Sequence, residues 1–303
     1  MNNMSKVFSI IVTYNALRNN WIIKCLESLQ NSSVKSEIII IDNNSYDKTI
    51  EVVEKNFPNV SCIKNQKNIG FGQANNIGIK YALNHGADYV LLLNQDAVLE
   101  KNALERMLSQ SDGISLVSPV HLNGDGTSID ALFKYSLNTI ETLYDDIFIE
   151  GTLKNKYFSG EVCAACWLIP KRVVEVIGGF NPIFFHYGED NNYFHRLIYH
   201  NIRTIIVPNA KMFHDRKVYG DIIAFNKDKV KRDIMLIACN INMNSKERMC
   251  AYVKCIVHYL FIDFPKKEYK LGTFLMEILR MAFKYNVVLK SRKIEKQKNL
   301  NWL

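Results

Sequence analysis

The chain is 303 residues long, 48% hydrophobic and 22% charged, a balance that excludes disordered, collagen-like and multi-span membrane classes and permits one large domain with an appendage. Its formal charge of +8 is uneven: Lys246 to Lys298 holds 13 Lys and Arg against 5 Asp and Glu, so the rest of the chain is near neutral. A basic tail on a neutral body points to an anionic surface met by the tail.

From the N-terminus, Met1 to Ala16 shows no cleavage-site pattern, and its apolar run Val7 to Val12 is too short for a signal peptide. No stretch reaches the ~18 apolar residues of a spanning helix, so a cytoplasmic location is expected. Short apolar runs then alternate with helix-period segments, the pattern of a parallel sheet covered by helices. The runs Val7 to Val12, Ile38 to Ile41, Val60 to Ile63 and Tyr89 to Leu93 predict strands. Helices are predicted near Trp21 to Leu29, Asp47 to Asn56, Ala74 to Leu83 and Lys101 to Leu108. The strands are continuous Val, Ile and Leu, as expected where both faces are buried. From Ser115 the pattern loosens into short β segments and a loop-rich insertion with a turn at Asn123-Gly124-Asp125-Gly126. A second readable block runs from Val162 to Asp215, and the residues after Asn226 look helical. The division is therefore a domain over 1–225, in halves of about 1–120 and 121–225, and a basic helical extension over 226–303.

Seven scattered cysteines fit core thiols in a reducing compartment. Cys163-Ala-Ala-Cys166 lacks the second ligand pair that a zinc site needs.

Ligands bind open α/β sheets at the carboxyl ends of the strands. Thr13-Tyr14-Asn15 follows the first strand and Asp42-Asn43-Asn44-Ser45 the second. Small polar side chains there can bond a base and ribose, and Asx-rich turns also cap helices with no ligand at all. No G-x-G-x-x-G follows the first strand, which argues against a dinucleotide site. The run Asn68 to Gly78, with Gly70, Phe71 and Asn75, has the glycines that let backbone approach a ligand at a helix start. Leu91-Leu92-Leu93 ends abruptly in Asn94-Gln95-Asp96, where a carboxylate can hold a divalent ion or cap a helix.

Further on, Phe184 to Asp190 opens a helix over Asn191 to His200. From Asp190 the helical stripe runs through Phe194, Leu197 and Ile198; from Glu189 it runs through Tyr193, Arg196 and His200. Asp190 is thus expected to point inward as a proton acceptor and Glu189 outward, with the helix N-terminus holding the Asp190 pKa down. His214, after a strand at Thr204 to Val207, is by itself an ordinary structural histidine.

Taken in order, Ile11 to Asn15, Asp42 to Ser45, Asn68 to Gly78, Leu91 to Asp96, Gly178-Gly179-Phe180 and Phe184 to Asp190 resemble family 2 glycosyltransferases of the GT-A fold, particularly the rhamnosyltransferase-like bacterial branch. The resemblance covers Val7 to about His214. It implies a mostly parallel α/β sheet flanked by helices. The nucleotide-diphosphate sugar would be held by Thr13, Tyr14, Asn15, Asp42, Asn44, Asn68, Gly70, Phe71, Asn75, Asn94, Gln95 and Asp96. The family's D-x-D reads Asn94-Gln95-Asp96 here, so Asp96 alone carries over as a carboxylate ligand, with His214 as a second. An Asp and His pair suits Mn2+ or Mg2+, with imidazole favouring manganese. Asp190 maps onto the general base of an inverting displacement, and His186, Tyr187 and Glu189 fall to the acceptor. The first implied donor is thymidine-diphosphate rhamnose, with galactose, glucose or their derivatives close behind, and the implied acceptor is a glycan or lipid-linked sugar in polysaccharide synthesis.

The tail, with densely apolar Ala251 to Phe264, Lys266-Lys267 and a basic end at Lys290 to Lys298, reads as an amphipathic helix on the inner face of the plasma membrane, as a cap on the catalytic domain, or as a homodimer contact. It lacks the interleaved stacking aromatics of a nucleic-acid groove. Two rivals are a nucleotidyltransferase, which would carry a basic Gly-rich loop that Thr13 to Asn20 does not offer, and a catalytically silent sugar-nucleotide or glycan-binding module.

Overall fold

The computed structural model describes residues 5–215, 229–263 and 284–303. Nine strands form one mixed sheet in the order β3-β2-β1-β4-β8-β6-β9-β5, with β7 paired to β9. The first four, β1 (Val7–Thr13), β2 (Glu37–Asp42), β3 (Ser61–Lys64) and β4 (Tyr89–Leu93), are parallel and joined through α1 (Trp21–Gln30), α2 (Thr49–Asn56) and α3 (Phe71–Asn84). Their carboxyl ends therefore lie along one edge, where Thr13 stands opposite Asp42 in the register.

Both faces of this sheet are covered, which explains the unbroken apolar strands. Phe8 and Ile10 enter one core with Trp167, Phe180 and Phe194, whereas Val7 and Ile11 enter the other with Leu26, Leu104 and Met107. Alternate side chains of one strand thus serve two cores.

The expected helix start at Ala74 lies three residues late. Gly70 at φ +87° ends the preceding loop, and α3 begins at Phe71. Gly72 belongs to the helix because Phe180 packs against it: a Cβ there would sit 2.8 Å from the Phe180 Cβ.

The loosely patterned middle contributes the rest of the sheet, antiparallel except for one long parallel pair. It comprises β5 (Ala97–Leu99), α4 (Ala103–Gln110), β6 (Leu116–Asn123), the short helices α5 (Phe133–Leu137) and α6 (Leu143–Phe148), β7 (Tyr157–Ser159) and β8 (Cys166–Pro170). Then follow α7 (Lys171–Ile177), α8 (Glu189–Tyr199) and β9 (Thr204–His214). The strand expected to end at Val207 continues to His214. Its register against β6 shifts between Pro119 opposite Val207 and Val120 opposite Lys211, so Pro208 to Ala210 bulge out and the strand resumes. That resumption seats His214 opposite Ala97 of β5, the residue after Asp96.

The described tail forms α9 (Lys229–Cys239), α10 (Ser245–His258, opened by an Asn244/Glu247 capping box), a one-turn π segment over Tyr259–Asp263, and α11 (Tyr285–Glu295). Met235, Ala238 and Cys239 of α9 and Val288 of α11 pack on Phe184, just before α8. Glu295, 1% exposed, accepts bonds from Asn181 Nδ2 at 2.7 Å and Asn192 Nδ2 at 2.8 Å. The last residues follow it down: Gly179 N–H donates to Asn301 O, and Trp302 covers the Arg196 guanidinium. α11 is thus a cap on the sheet-bearing body, one of the three arrangements expected for the tail. Lys266, Lys267 and most of the segment from Tyr269 lie outside the described residues. Among the described residues no helix is long and apolar enough to cross a membrane.

Candidate active site

At the ends of β1 and β2 the polar side chains bind one another. The buried Asp42 carboxylate accepts from Thr13 Oγ1 at 2.9 Å, from Ser45 Oγ at 2.6 Å and from Ser45 N–H at 3.0 Å. Asn15 at φ 51° and Asn44 at φ 65° take the left-handed backbone that these turns require. Asn15 Oδ1 accepts from Tyr46 N–H, while Tyr14 and Gln95 clasp each other through a backbone N–H at 2.8 Å and a carbonyl at 3.3 Å. Tyr14 and Tyr46 stay exposed with rings edge-on at 6.1 Å, an aromatic pair on the open edge. Asn44 is exposed beside them.

The Asn68 loop is braced in the same way. Asn68 Oδ1 accepts from Asn43 Nδ2 and Gly70 N–H, and Asn43 Oδ1 accepts from Ile69 N–H. Gly70 lies under the loop leading to α8, where a Cβ would collide with the Phe185 carbonyl oxygen. Phe71 faces the cavity described below. Asn75 is buried and donates to Phe71 O within its own helix. Its neighbour Asn76, which the sequence did not single out, bonds both the N–H and the carbonyl of Phe180 and so ties α3 to the second half.

A cavity of about 540 Å3 opens between the halves, lined among others by Asn94, His214, Glu161, Glu189 and Asp190. Asp96 sits beside His214, its Oδ1 3.3 Å from His214 Nε2. Asn94 Nδ2 is 3.5 Å from the same nitrogen, and Asp130 lies 3.8 Å from His214 Nδ1. His214 is 4% exposed, and neither its Nδ1 nor Asn94 Oδ1 has a hydrogen-bond partner among the described residues. Three of the farthest-separated candidates, Asp96, Asp190 and His214, are thereby gathered around one space. Among the described residues no group of three His, Cys, Asp or Glu side chains converges for a metal.

His186 and Tyr187 also line the cavity, their ring centroids 4.0 Å apart and their planes tilted by 42°, with Tyr187 at φ 64°. Asp190 Oδ1 accepts from Asn191 N–H at 2.9 Å, and the Ala164 N–H also bonds this carboxylate. Two expectations are corrected here. Glu189 does not point outward: it is 6% exposed, and its Oε2 has no partner among the described residues. Its stripe mates Tyr193 and Arg196 are themselves buried, because Arg196 donates to Ile177 O and Gly179 O, and Tyr193 lies against its guanidinium. Nor is the Asp190 pKa held down. Burial raises it, the backbone N–H groups and the Arg232 charge only partly offsetting this. Burial also raises Glu189, with the neighbouring Asp190 charge adding to the effect and Arg232 opposing it.

Glu161, absent from the sequence-derived set, accepts from Asn191 Nδ2 at 2.7 Å. Burial raises its pKa, Asn191 lowers it and the Asp190 charge raises it again. It lies in an aperiodic loop that offers no motif.

The sequence model of glycosyl transferase family 2 matches residues 9–178, more than half of the chain. No curated protein sequence matches it. Among solved structures, TarS residues 1–349 from S. aureus in complex with UDP superposes with a TM-score of 0.57 at 17% identity, covering 96% of this chain and 88% of that one. GalNAc-T7 with UDP, GalNAc and Mn2+ gives a TM-score of 0.62 at 13% identity, over the whole of this chain and 56% of its own. At such identities the likeness is one of fold, and the fold is GT-A.

Proposed function

The chain belongs to glycosyl transferase family 2, and from that membership we propose an inverting, metal-assisted transfer of a sugar from a nucleoside-diphosphate donor to a hydroxyl of a glycan or lipid-linked acceptor. The observation that carries it is one cavity lined by both Asp190 and His214, with Asp96 3.3 Å from the imidazole. Thr13, Asp42 and the Asn68 loop shape the strand edge that receives the nucleotide, with Tyr14 exposed for the base.

The donor set fits a divalent cation. A carboxylate oxygen and an imidazole nitrogen lie 3.3 Å apart, with the buried Asn94 Oδ1 lacking a partner beside them. Asp96 and His214 would hold Mn2+ or Mg2+, and diphosphate oxygens and water would complete its shell. When bound, the cation supplies positive charge against the departing diphosphate.

Asp190 takes the proton of the attacking acceptor hydroxyl. Burial makes it a stronger base than a surface aspartate, and the Asn191 and Ala164 N–H groups fix its carboxylate. Attack from the side opposite the diphosphate inverts the anomeric centre. Thymidine-diphosphate rhamnose remains the first donor to try, and UDP in both structural relatives adds UDP-sugars as the second set.

A peripheral membrane position is favoured by α10 and the π turn after it. Met249, Val253, Val257 and Phe261 are exposed at helical spacing, flanked by exposed Lys246 and Lys254. Co-sedimentation with anionic but not neutral vesicles is expected, reduced by Val253→Glu.

The test of the main reading is release of nucleoside diphosphate from a panel of thymidine- and uridine-diphosphate sugars with and without Mn2+. Metal-dependent release from at least one donor is expected, and none from any donor would refute the proposal.

A further inference from the structure

The loop-rich insertion after β6, to which the sequence assigns no chemistry, brings a carboxylate up to His214. Asp130 is 3% exposed. Its backbone N–H donates to His121 O at 2.9 Å, which fastens it to β6. Its Oδ1 accepts from the N–H groups of Leu132 at 2.9 Å and Phe133 at 3.1 Å, where the chain turns into α5. The second oxygen, Oδ2, faces His214 Nδ1 at 3.8 Å. That nitrogen has no hydrogen-bond partner among the described residues, although His214 is 4% exposed. The other ring nitrogen, Nε2, is the one that stands 3.3 Å from Asp96 Oδ1. The buried ring thus has a carboxylate at each nitrogen, and the Asp130 oxygen lies about 0.6 Å beyond the long end of an ordinary N–H···O bond.

We infer that Asp130 is a positioning residue of the cation site: its Oδ2 accepts the Nδ1 proton of His214 and so fixes the tautomer in which Nε2 presents a lone pair beside Asp96. The inference rests on the metal-assisted reading above, and it adds a residue behind the two ligands. A neutral imidazole holds one proton, so a ring that ligates through Nε2 carries that proton on Nδ1. Buried as it is, the Nδ1–H needs an acceptor, and leaving it without one is costly. A carboxylate in this place orients the ring and strengthens Nε2 as a donor. The two bonds to Oδ1 keep the carboxylate from swinging away, so the turn into α5 braces the ligand.

The test uses the full chain with isotope-labelled histidine, and the variant Asp130→Asn. Asparagine keeps an oxygen for the Leu132 and Phe133 N–H groups but can turn an N–H donor towards Nδ1. Long-range proton–nitrogen correlation spectra of the metal-free protein, with His214→Gln identifying the resonances, should show the wild-type ring protonated at Nδ1. In Asp130→Asn the proton should move to Nε2. Mn2+ affinity in the presence of UDP, read from the paramagnetic resonance of the free ion, should fall about tenfold or more in the variant. Asp130→Ser keeps an oxygen for the turn and is too short to reach the ring, and it should lose affinity as well. A wild-type ring protonated at Nε2, which needs no variant to detect, would overturn the assignment. So would a Mn2+ affinity of Asp130→Asn within about twofold of the wild type. A wild type that is protonated at Nδ1 yet binds no Mn2+ would strike the metal-assisted reading, and the assignment with it.

Discussion

The turns at the strand edge and the cavity treat their polar groups differently. At the ends of β1 and β2, Thr13, Asp42 and Ser45 bond one another, as do Asn43 and Asn68. Among the cavity-lining residues, Glu189 Oε2, His214 Nδ1 and Asn94 Oδ1 have no hydrogen bond among the described residues. Leaving a buried polar atom unpaired costs about 1–3 kcal/mol, so a fold keeps such atoms where something else completes them. On the proposed function the strand-edge turns are scaffold, and substitutions there should lower stability. The cavity is where a ligand would supply partners, and substitutions there should lower turnover.

The sharpest way to break this contrast lies at the cavity. Replacing Asp96 and His214 together by Ala should lower sugar transfer by about three orders of magnitude while the melting temperature changes little. Metal-dependent nucleotide binding, followed calorimetrically, should disappear with it.

Glu295 belongs to the scaffold although it comes from the tail. Glu295→Ala leaves the Asn181 and Asn192 amides without their acceptor, and a loss of about 3 kcal/mol is expected from the urea midpoint. Glu295→Gln, which keeps the accepting oxygen, should cost less.

Gly70 joins the two regions. Its φ of +87° and the Phe185 carbonyl pressed against the place a methyl would occupy leave no room for Ala. Gly70→Ala should cost about 2 kcal/mol and also slow transfer, because the displaced loop leads into α8, whose first turn carries Asp190.

The smallest effect is a pH effect. Burial raises Glu189 to about 8. A carboxyl whose folded pKa exceeds its unfolded value weakens the fold as pH rises from the ordinary carboxylate range through the folded value. Glu189→Gln removes that penalty, so it should raise the melting temperature by about 2 °C or more near pH 9 and leave it unaltered near pH 4.

The four parallel strands were legible because burial on both faces writes itself as unbroken Val, Ile and Leu. The meeting of Asp96 with His214 came from the family resemblance, since 118 residues separate them and the β9 bulge at Pro208 to Ala210 hides the continued strand. The burial of Glu189 was hidden for a different reason. Its stripe contains Arg196, a residue that reads as solvent-facing until backbone carbonyls and two aromatic rings surround it. Glu161 left no trace, because the loop before β8 has neither periodicity nor motif.

The account turns on Asp190 as the base facing a metal-bound donor. Its most direct test is Asp190→Asn, assayed in parallel for sugar transfer and for nucleoside-diphosphate binding in Mn2+. The variant is expected to bind nucleotide as the wild type does and to transfer sugar at least about a thousandfold more slowly. Transfer at the wild-type rate would contradict the central claim.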